Sequence, residues 1–322
     1  MSCSWATGRQ APKSANSKPL HYYPGMRVFV TGAAGPFAHA LLPVLCEHPS
    51  ITGVTAIDSR APRYAHARLC TATADLADPA IFAMLAGHDA FVHLPHGAPP
   101  ADAPLAGGAE AAVRAAHRLF QAAHAAGATR LLHVSTAAVY GSAVHASEQA
   151  PLRPLAGFAY AEREARLEQL LAIDFPQCAR LRPHLIVGPH AHPALKRFLS
   201  LPLYPRASDP QPLFQCVHED DLAAAILLCL ENGGHGAYNL ATEDSFSVRD
   251  AIRARHRLSL GLPPAAALKA YALGSRLFRL DTGPAAWLER ASHTLLVNCR
   301  RAIVELRWHR KYSAHEALAA TR

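Results

Sequence analysis

Long apolar runs are missing from this sequence of 322 residues, although half of its residues are hydrophobic. No stretch approaches the roughly 18 uninterrupted apolar residues that a membrane-spanning helix needs. A chain of this length and hydrophobic content can bury a full core. We therefore expect a globular protein with no membrane partner.

Cysteine pairs with metal-site or redox spacing are missing as well. The seven cysteines are scattered, with no CxxC motif, and several stand among apolar residues, which is typical of reduced, buried thiols in a cytoplasmic protein. Histidines occur as short pairs, His93 with His96 and His190 with His192, but no third ligand stands at a suggestive spacing. We predict no metal site and a cytoplasmic location.

Acidic residues are scarce, and the net charge is +8. This balance favours anionic partners such as phosphorylated cofactors, but the basic clusters contain no recognisable nucleic-acid motif, so we expect no nucleic-acid partner. Residues 1–25 contain no acid and no apolar periodicity. We predict a disordered extension there, with Met26 as an alternative start of the chain.

From Met26 onward, β-branched runs alternate with Ala- and Leu-rich stretches. The predicted strands are RVFVTG, GVTAID, AFVHLP, RLLHVST and ARLRPHLIVGP, and the predicted helices include FAHALLPVLCEH, PAIFAMLAG and AAVRAAHRLFQAAHAAG. Such alternation predicts an α/β fold, a Rossmann-like doubly wound parallel sheet that binds ligands at the carboxyl ends of its strands. We predict a nucleotide-binding domain over 26–180 and a smaller, proline-rich substrate-side region over 181–322, interleaved with it.

A glycine-rich turn follows the first predicted strand. In TGAAGPFA, Gly32, Gly35 and Ala38 form a G-x-x-G-x-x-A array that opens the first helix. The glycines permit a tight turn and close approach to a pyrophosphate, while the helix N-terminus supplies N–H donors. This context makes the turn a candidate dinucleotide site.

Asp58 ends the second predicted strand, 23 residues after Gly35. An acid at that place can accept hydrogen bonds from an adenosine ribose, which favours NAD over NADP. The alternative interpretation of Asp58 is an ordinary strand-end cap. Asp75 and Leu76 stand where the chain could cover the adenine. The predicted cofactor residues are Gly32, Ala34, Gly35, Pro36, Phe37, Asp58, Ser59, Arg60, Asp75, Leu76, Leu94 and Pro95.

In this order, TGAAGPFA, AIDSR, HVSTAAVYG, LRPHLIVGP and GAYNLA resemble the extended short-chain dehydrogenase/reductase family, the NAD-dependent epimerase/dehydratase group. The resemblance covers roughly 26–318. It implies NAD as cofactor, a small-molecule substrate and a homodimer through the long helices. It further implies that Thr136 binds the substrate oxygen and that Tyr160 is the general acid/base.

The largest departure from the family pattern is at Glu164. The family carries a lysine four residues after its tyrosine, and that lysine lowers the phenol pKa, whereas a carboxylate raises it. Arg163, three residues after Tyr160, lies on the same helix face and is a candidate for the missing positive charge. The alternative, which we favour from the sequence, is that Arg163 and Glu164 are exposed helix residues without a role.

Three further departures concern substrate binding. Ala112, Leu185 and Phe214 stand where the family often places polar residues. Without such groups two phosphates would lose their charge-assisted hydrogen bonds, which makes a UDP-sugar substrate unexpected. Candidate pocket residues besides Thr136 and Tyr160 are His96, Tyr140, His184 and His190; His184 is either an acid/base or a satisfied histidine at the edge of the core.

Two functions remain open from the sequence. The first is an NAD-dependent oxidoreductase of the epimerase/dehydratase type, with weakened activity, acting on a small carbonyl or alcohol. The second is a non-catalytic NAD(H)-binding sensor or regulatory protein on the same fold. The missing lysine favours the second, and the retained Thr136 and Tyr160 favour the first.

Overall fold

A computed structural model describes residues 25–94, 108–200, 203–205, 211–254, 260–263, 266, 269 and 292–321. The predicted N-terminal extension lies outside these residues except for Gly25, and so do two predicted site residues, Pro95 and His96. No helix within the described ranges is long and apolar enough to cross a membrane.

Strands with β-branched and apolar residues form the centre of the fold. They are β1 (Met26–Thr31), β2 (Ile51–Asp58), β3 (Leu69–Thr73), β4 (Ala90–His93), β5 (Arg130–Val134), β6 (Ala143–Ala146), β7 (Ala179–Pro183), β8 (Leu185–Val187), β9 (Leu203–Pro205), β10 (Cys216–His218), β11 (Gly236–Leu240), β12 (Leu260–Leu262) and β13 (Leu295–Val297). Seven of them make one sheet in the order β11-β7-β5-β4-β1-β2-β3, and every pairing in it is parallel. This confirms the predicted doubly wound sheet.

The helices connect these strands and cover the sheet. They are α1 (Ala38–Glu47), α2 (Ala80–Met84), α3 (Gly108–Ala125), α4 (Ala159–Asp174), α5 (Pro193–Phe198), α6 (Glu219–Asn232), α7 (Val248–Ala254), α8 (Arg300–Glu305) and α9 (Ala314–Ala320), with a 3-10 helix over Ala137–Tyr140. In α3, Val113, Ala116, Phe120 and Ala123 are buried, the three-to-four-residue spacing of an amphipathic helix.

Two apolar layers lie on opposite faces of the sheet. In β1, Val28 and Val30 belong to one buried cluster and Phe29 to the other, because successive strand residues point to opposite faces. Helices α1 and α6 pack in the first layer, and α3 and α4 in the second. A parallel sheet covered on both faces directs its ligand site to the carboxyl ends of the strands.

A third buried cluster lies in the part of the chain that follows β7. It contains residues of β8, β10, α7 and α9, with Phe214 and Phe246 among them. The C-terminal segment is attached by Trp308, which is fully buried and donates its indole N–H to the Asp221 carbonyl at 2.8 Å. The Asp221 carboxylate accepts the N–H of Lys311 at 3.0 Å. The N-cap of α6 is the His218 side chain, and Asp221 lies in the first turn of the helix.

Three local details differ from the sequence-based expectation. The sequence indicated no strand at β3, an edge strand whose short side chains are half-buried or exposed and so carry little apolar pattern. The predicted strand ARLRPHLIVGP is divided at His184 into β7 and β8. Five cysteines are free and buried as expected, but Cys70 is disulfide-bonded.

Candidate functional site

The glycine turn after β1 is shaped by close backbone contact. Gly32 has φ +80, and a Cβ placed on it would lie 2.6 Å from the Leu94 carbonyl oxygen at the end of β4. Only glycine fits such a place without strain. The Gly35 N–H donates to the Gly32 carbonyl at 3.1 Å, which closes the turn at the start of α1. The turn therefore has the shape that a pyrophosphate-binding loop requires.

The Asp58 side chain ties that turn to the end of β2. It is buried, and its Oδ2 accepts the Ala34 N–H at 3.0 Å, while Oδ1 accepts the Arg60 N–H at 3.0 Å and the Ser59 hydroxyl at 3.2 Å. A carboxylate has about four lone-pair sites. Capacity for a ribose hydroxyl therefore remains on Oδ2, and the role of Asp58 as ribose acceptor stays a prediction.

The predicted adenine-side residues lie beside Asp58. The Ala74 N–H, directly after β3, donates to the Asp58 carbonyl at 3.0 Å. The exposed Asp75 accepts the Ala77 N–H at 3.0 Å, and Leu76 packs against the apolar layer of α3 and α4. Arg60 is exposed at the surface and donates to the Ala34 carbonyl at 3.4 Å.

Gly32→Ala should disrupt the turn, because a methyl group would contact the Leu94 carbonyl and a positive φ costs about 1–3 kcal/mol for a residue with a side chain. We expect at least about a tenfold loss of NAD affinity, the ratio that 1.4 kcal/mol gives, measured by titration calorimetry. Gly127→Ala is the matched control, since Gly127 also has a positive φ, +95, but nothing within 4 Å of the added atom. Equal NAD binding in the two variants would show that this turn does not hold the cofactor.

Asp58→Asn separates the two interpretations of Asp58. A ribose role predicts roughly a tenfold or larger loss of NAD affinity and weaker discrimination against NADP, since a hydrogen bond to a charged group is worth about 1.5–3 kcal/mol. A simple cap predicts a lower urea midpoint with unchanged dissociation constants for both dinucleotides. Titration calorimetry with NAD and NADP, together with urea unfolding, decides between them.

A cavity of about 230 Å³ lies between this turn and the third apolar cluster. Of the predicted cofactor residues, Gly32, Gly35, Pro36, Phe37 and Leu94 line it, and Ala34, Asp58, Ser59, Arg60, Asp75 and Leu76 do not. Its polar lining side chains are Ser135, Thr136, Tyr160, His184, His190 and His192. The cavity thus joins the dinucleotide turn to the predicted catalytic pair.

Thr136 and Tyr160 are brought together at this cavity. Thr136 follows β5 and caps the 3-10 helix, accepting the Ala138 N–H at 3.2 Å. Burial and the Glu164 carboxylate raise the pKa of Tyr160, while Arg163 and hydrogen bonding with Thr136 oppose that rise. The neighbouring Ser135 also lines the cavity, but its hydroxyl donates to Glu168 at 2.6 Å. The Ser135 hydroxyl is thus bound to a carboxylate, whereas Thr136 is hydrogen-bonded with Tyr160.

Arg163 and Glu164 are buried, so their interpretation as exposed helix residues is wrong. Their exposed fractions are 9% and 3%. The Arg163 Nη2 donates to Glu164 Oε1 at 3.0 Å, and the guanidinium carbon lies 5.5 Å from the centre of the Tyr160 ring. Arg163 thus places positive charge beside the phenol.

Glu164 does not face the cavity; it contacts the sheet. Its Oε2 lies 3.0 Å from Nε2 of the fully buried His133, although the pair lacks the alignment of a regular hydrogen bond. Burial alone would raise the pKa of Glu164, but His133 and Arg163 outweigh burial and lower it. Glu164 is therefore a buried carboxylate whose partners are His133 and Arg163.

Tyr140 is not brought to the cavity. It is buried, and its hydroxyl accepts from Arg182 Nη1 at 2.6 Å and donates to Asn239 at 2.8 Å; Arg182 in turn donates to Glu168 at 2.6 Å. Burial raises the pKa of Tyr140 to about 12. The structure thus places this predicted pocket residue in a buried polar network with Arg182, Asn239 and Glu168.

The two predicted pocket histidines differ in their bonding. His184 is buried, its Nδ1 accepts the Leu185 N–H at 2.8 Å, and its Nε2 lies 3.0 Å from the Leu295 carbonyl oxygen. Since an N–H can only donate and a carbonyl only accept, this ring is neutral with its proton on Nε2. Of the two interpretations of His184, an acid/base or a histidine with satisfied hydrogen bonds at the edge of the core, these contacts support the second.

His190 is held by a residue that the sequence did not single out. Its Nδ1 lies 2.8 Å from Oε1 of the buried Glu219, and its backbone N–H donates to Oε2 at 2.9 Å. This arrangement fixes the proton on Nδ1 and leaves the lone pair of neutral His190 on Nε2. Glu219 and Glu168 are buried acids on helices α6 and α4. Because Glu168 follows Glu164 by one helical turn, the sequence spacing could have indicated that Glu168 shares its helix face. No group of three metal-ligand side chains occurs among the described residues.

The parallel sheet, the glycine turn and an acid after the second strand define a dinucleotide-binding α/β protein of the Rossmann type. The model of the NAD dependent epimerase/dehydratase family matches residues 28–241. The chain belongs to that family, and NAD, the cofactor in its description, is its cofactor. Gly32, Gly35 and Asp58 fit such a dinucleotide.

Solved structures support the fold over most of the chain. The UDP-glucose 4-epimerase of Thermotoga maritima, solved with UDP-glucose, is 18% identical with a TM-score of 0.71, covering 92% of this chain and 97% of that one. The dTDP-glucose 4,6-dehydratase of Streptomyces venezuelae, solved with NAD and TYD, is 24% identical with a TM-score of 0.68, covering 92% and 95%. No curated protein sequence matches the chain.

Proposed function

We propose that the protein is an NAD-dependent oxidoreductase that interconverts a small alcohol and its carbonyl compound, with weakened activity. The observation that carries this proposal is the pairing of Thr136 and Tyr160 at the cavity that the glycine turn also lines. A hydroxyl pair next to a dinucleotide turn is the arrangement that hydride-transfer chemistry uses.

Four residues have a defined part in the proposed reaction. Bound NAD supplies the hydride acceptor for the alcohol carbon, and its reduced form the donor in reverse. Thr136 holds the substrate oxygen, and the Tyr160 phenolate takes the hydroxyl proton, so that the O–H electron pair forms the carbonyl bond. Arg163 stabilises the phenolate by its charge, and Glu164 opposes it, which is the physical reason for weakened activity.

A second candidate is a non-catalytic NAD(H)-binding protein on the same fold. The observation that favours it is the raised pKa of Tyr160, which keeps the phenol protonated near neutrality. The experiment follows the absorbance of reduced nicotinamide with NAD and a panel of uncharged and charged alcohols. Cofactor binding without turnover on the whole panel would exclude the oxidoreductase and support the second candidate.

The rate of alcohol oxidation should rise with pH. Because the phenolate is the active form and the pKa of Tyr160 lies above its ordinary value, its fraction grows about tenfold per pH unit up to at least about pH 10, the ordinary phenol pKa. Initial rates at saturating NAD, corrected for the stability of the protein, test this. A plateau that begins near neutrality would assign the proton transfer to a group other than Tyr160.

A further inference from the structure

The far side of the cavity from the glycine turn is an apolar chamber. We define this chamber by six side chains on β8, α5, α9 and the segments that precede β10 and α7. They are Leu185, Leu195, Phe198, Phe214, Phe246 and Leu318. All six also belong to, or pack against, the third buried cluster, so the walls of the chamber are part of an apolar core.

Two aromatic residues of the chamber are paired through their backbones. Phe214 and Phe246 form an antiparallel bridge, in which each N–H donates to the carbonyl of the other at 2.9 Å. Both residues are buried, with 5% and 6% exposure. The bridge fixes the backbone of both residues and packing in the third buried cluster confines their rings, so the chamber is preformed.

The six side chains that define the chamber carry no charge. Among the lining residues that the structure describes, none is a lysine, arginine, aspartate or glutamate. His184 has both ring nitrogens engaged by backbone groups, and Nδ1 of His192 accepts the Ala194 N–H at 3.2 Å. A phosphate or carboxylate placed here would lose its hydration without an ionic partner, which is strongly unfavourable.

From this lining we infer that the substrate is an uncharged, hydrophobic alcohol or carbonyl compound whose hydrocarbon body occupies the apolar chamber. Its oxygen lies at Thr136 and Tyr160, and this part of the inference rests on the proposed function. The chamber excludes phosphorylated substrates such as nucleotide sugars, the ligands with which several relatives were solved.

The test measures binding rather than turnover. A series of 2-alkanols from 2-butanol to 2-heptanol is titrated into the protein at saturating NAD, and affinity is read by calorimetry or by the shift of the unfolding midpoint. Each added methylene should raise affinity about threefold to fourfold, the ratio that corresponds to 0.8 kcal/mol per buried CH₂. In a pair of similar shape that differs in charge, 4-methylcyclohexanol should bind and 4-hydroxycyclohexanecarboxylate should bind at least about tenfold more weakly.

A variant pair locates the effect in the chamber. Leu195→Ala, at a half-buried position of the chamber, should flatten the dependence on chain length. Ile173→Ala, an equal truncation at a site with 76% exposure on α4, should leave it unchanged. Absence of alkanol binding, a flat series in the unmodified protein, or tighter binding of UDP-glucose or the carboxylate would overturn the inference. A steep series without turnover would support it while excluding the oxidoreductase.

Discussion

Tyr160→Phe is expected to lower kcat for alcohol oxidation about 10²- to 10⁴-fold, the usual contribution of a general acid/base. The phenylalanine keeps the ring that packs beside Arg163 and removes the hydroxyl that takes the proton. The urea midpoint and the NAD dissociation constant should therefore change little. Steady-state rates at saturating NAD, measured across the pH range, check this result.

Tyr140→Phe is the matched control, because it removes the same atom from a different environment. The Tyr140 hydroxyl bonds Arg182 and Asn239 within the buried network, and leaving such partners unsatisfied costs about 1–3 kcal/mol. We expect a lower urea midpoint with retained activity per folded molecule. The reverse pattern, in which Tyr140→Phe loses turnover and Tyr160→Phe keeps it, would refute the assigned role of Tyr160.

Glu164→Lys should destabilise the protein by about 3–5 kcal/mol, the usual cost of breaking a buried ion pair from one side. Position 164 is only 3% exposed, so the lysine would be buried beside the Arg163 guanidinium and His133. Its ammonium group would lose hydration and would repel the Arg163 guanidinium. Because this change also removes the carboxylate that raises the pKa of Tyr160, any gain of activity should appear only per folded molecule, while the amount of folded protein falls.

Two further variants make that prediction precise. Gln169→Lys adds the same side chain to the exposed face of α4 and should leave the urea midpoint nearly unchanged. Glu164→Gln keeps the shape but removes the charge, which should shift the pH profile of oxidation toward lower pH because the carboxylate raises the pKa of Tyr160. A Glu164→Lys protein as stable as the unmodified one would contradict the orientation of Glu164 toward the sheet.

Acid should act differently on the unmodified protein and on Glu164→Gln. The folded-state pKa of Glu164 is lowered, so this group contributes stability above its ordinary unfolded pKa of about 4.3, and that contribution is lost as pH falls through the lower folded value. Urea midpoints between neutrality and acid should therefore decline more steeply in the unmodified protein than in the variant.

The sequence by itself determined those features that depend on neighbours along the chain. Alternating strand and helix patterns predicted the parallel sheet, since periodicity reports which residues face a core. Gly32 and Gly35 predicted the turn after β1, because a tight turn with a positive φ needs glycine. The family, the cofactor and the place of Tyr160 on its helix follow from the same local patterns taken in order.

Only the tertiary structure decided which side chains meet across the fold. Arg163 and Glu164 read as surface residues on α4, yet His133 stands opposite them and makes a buried polar cluster. Tyr140 reads as a pocket residue, yet Asn239, 99 positions away, binds its hydroxyl. The apolar chamber requires Phe214 and Phe246 to pair through their backbones. Such contacts join residues far apart in the chain, and local periodicity carries no information about them.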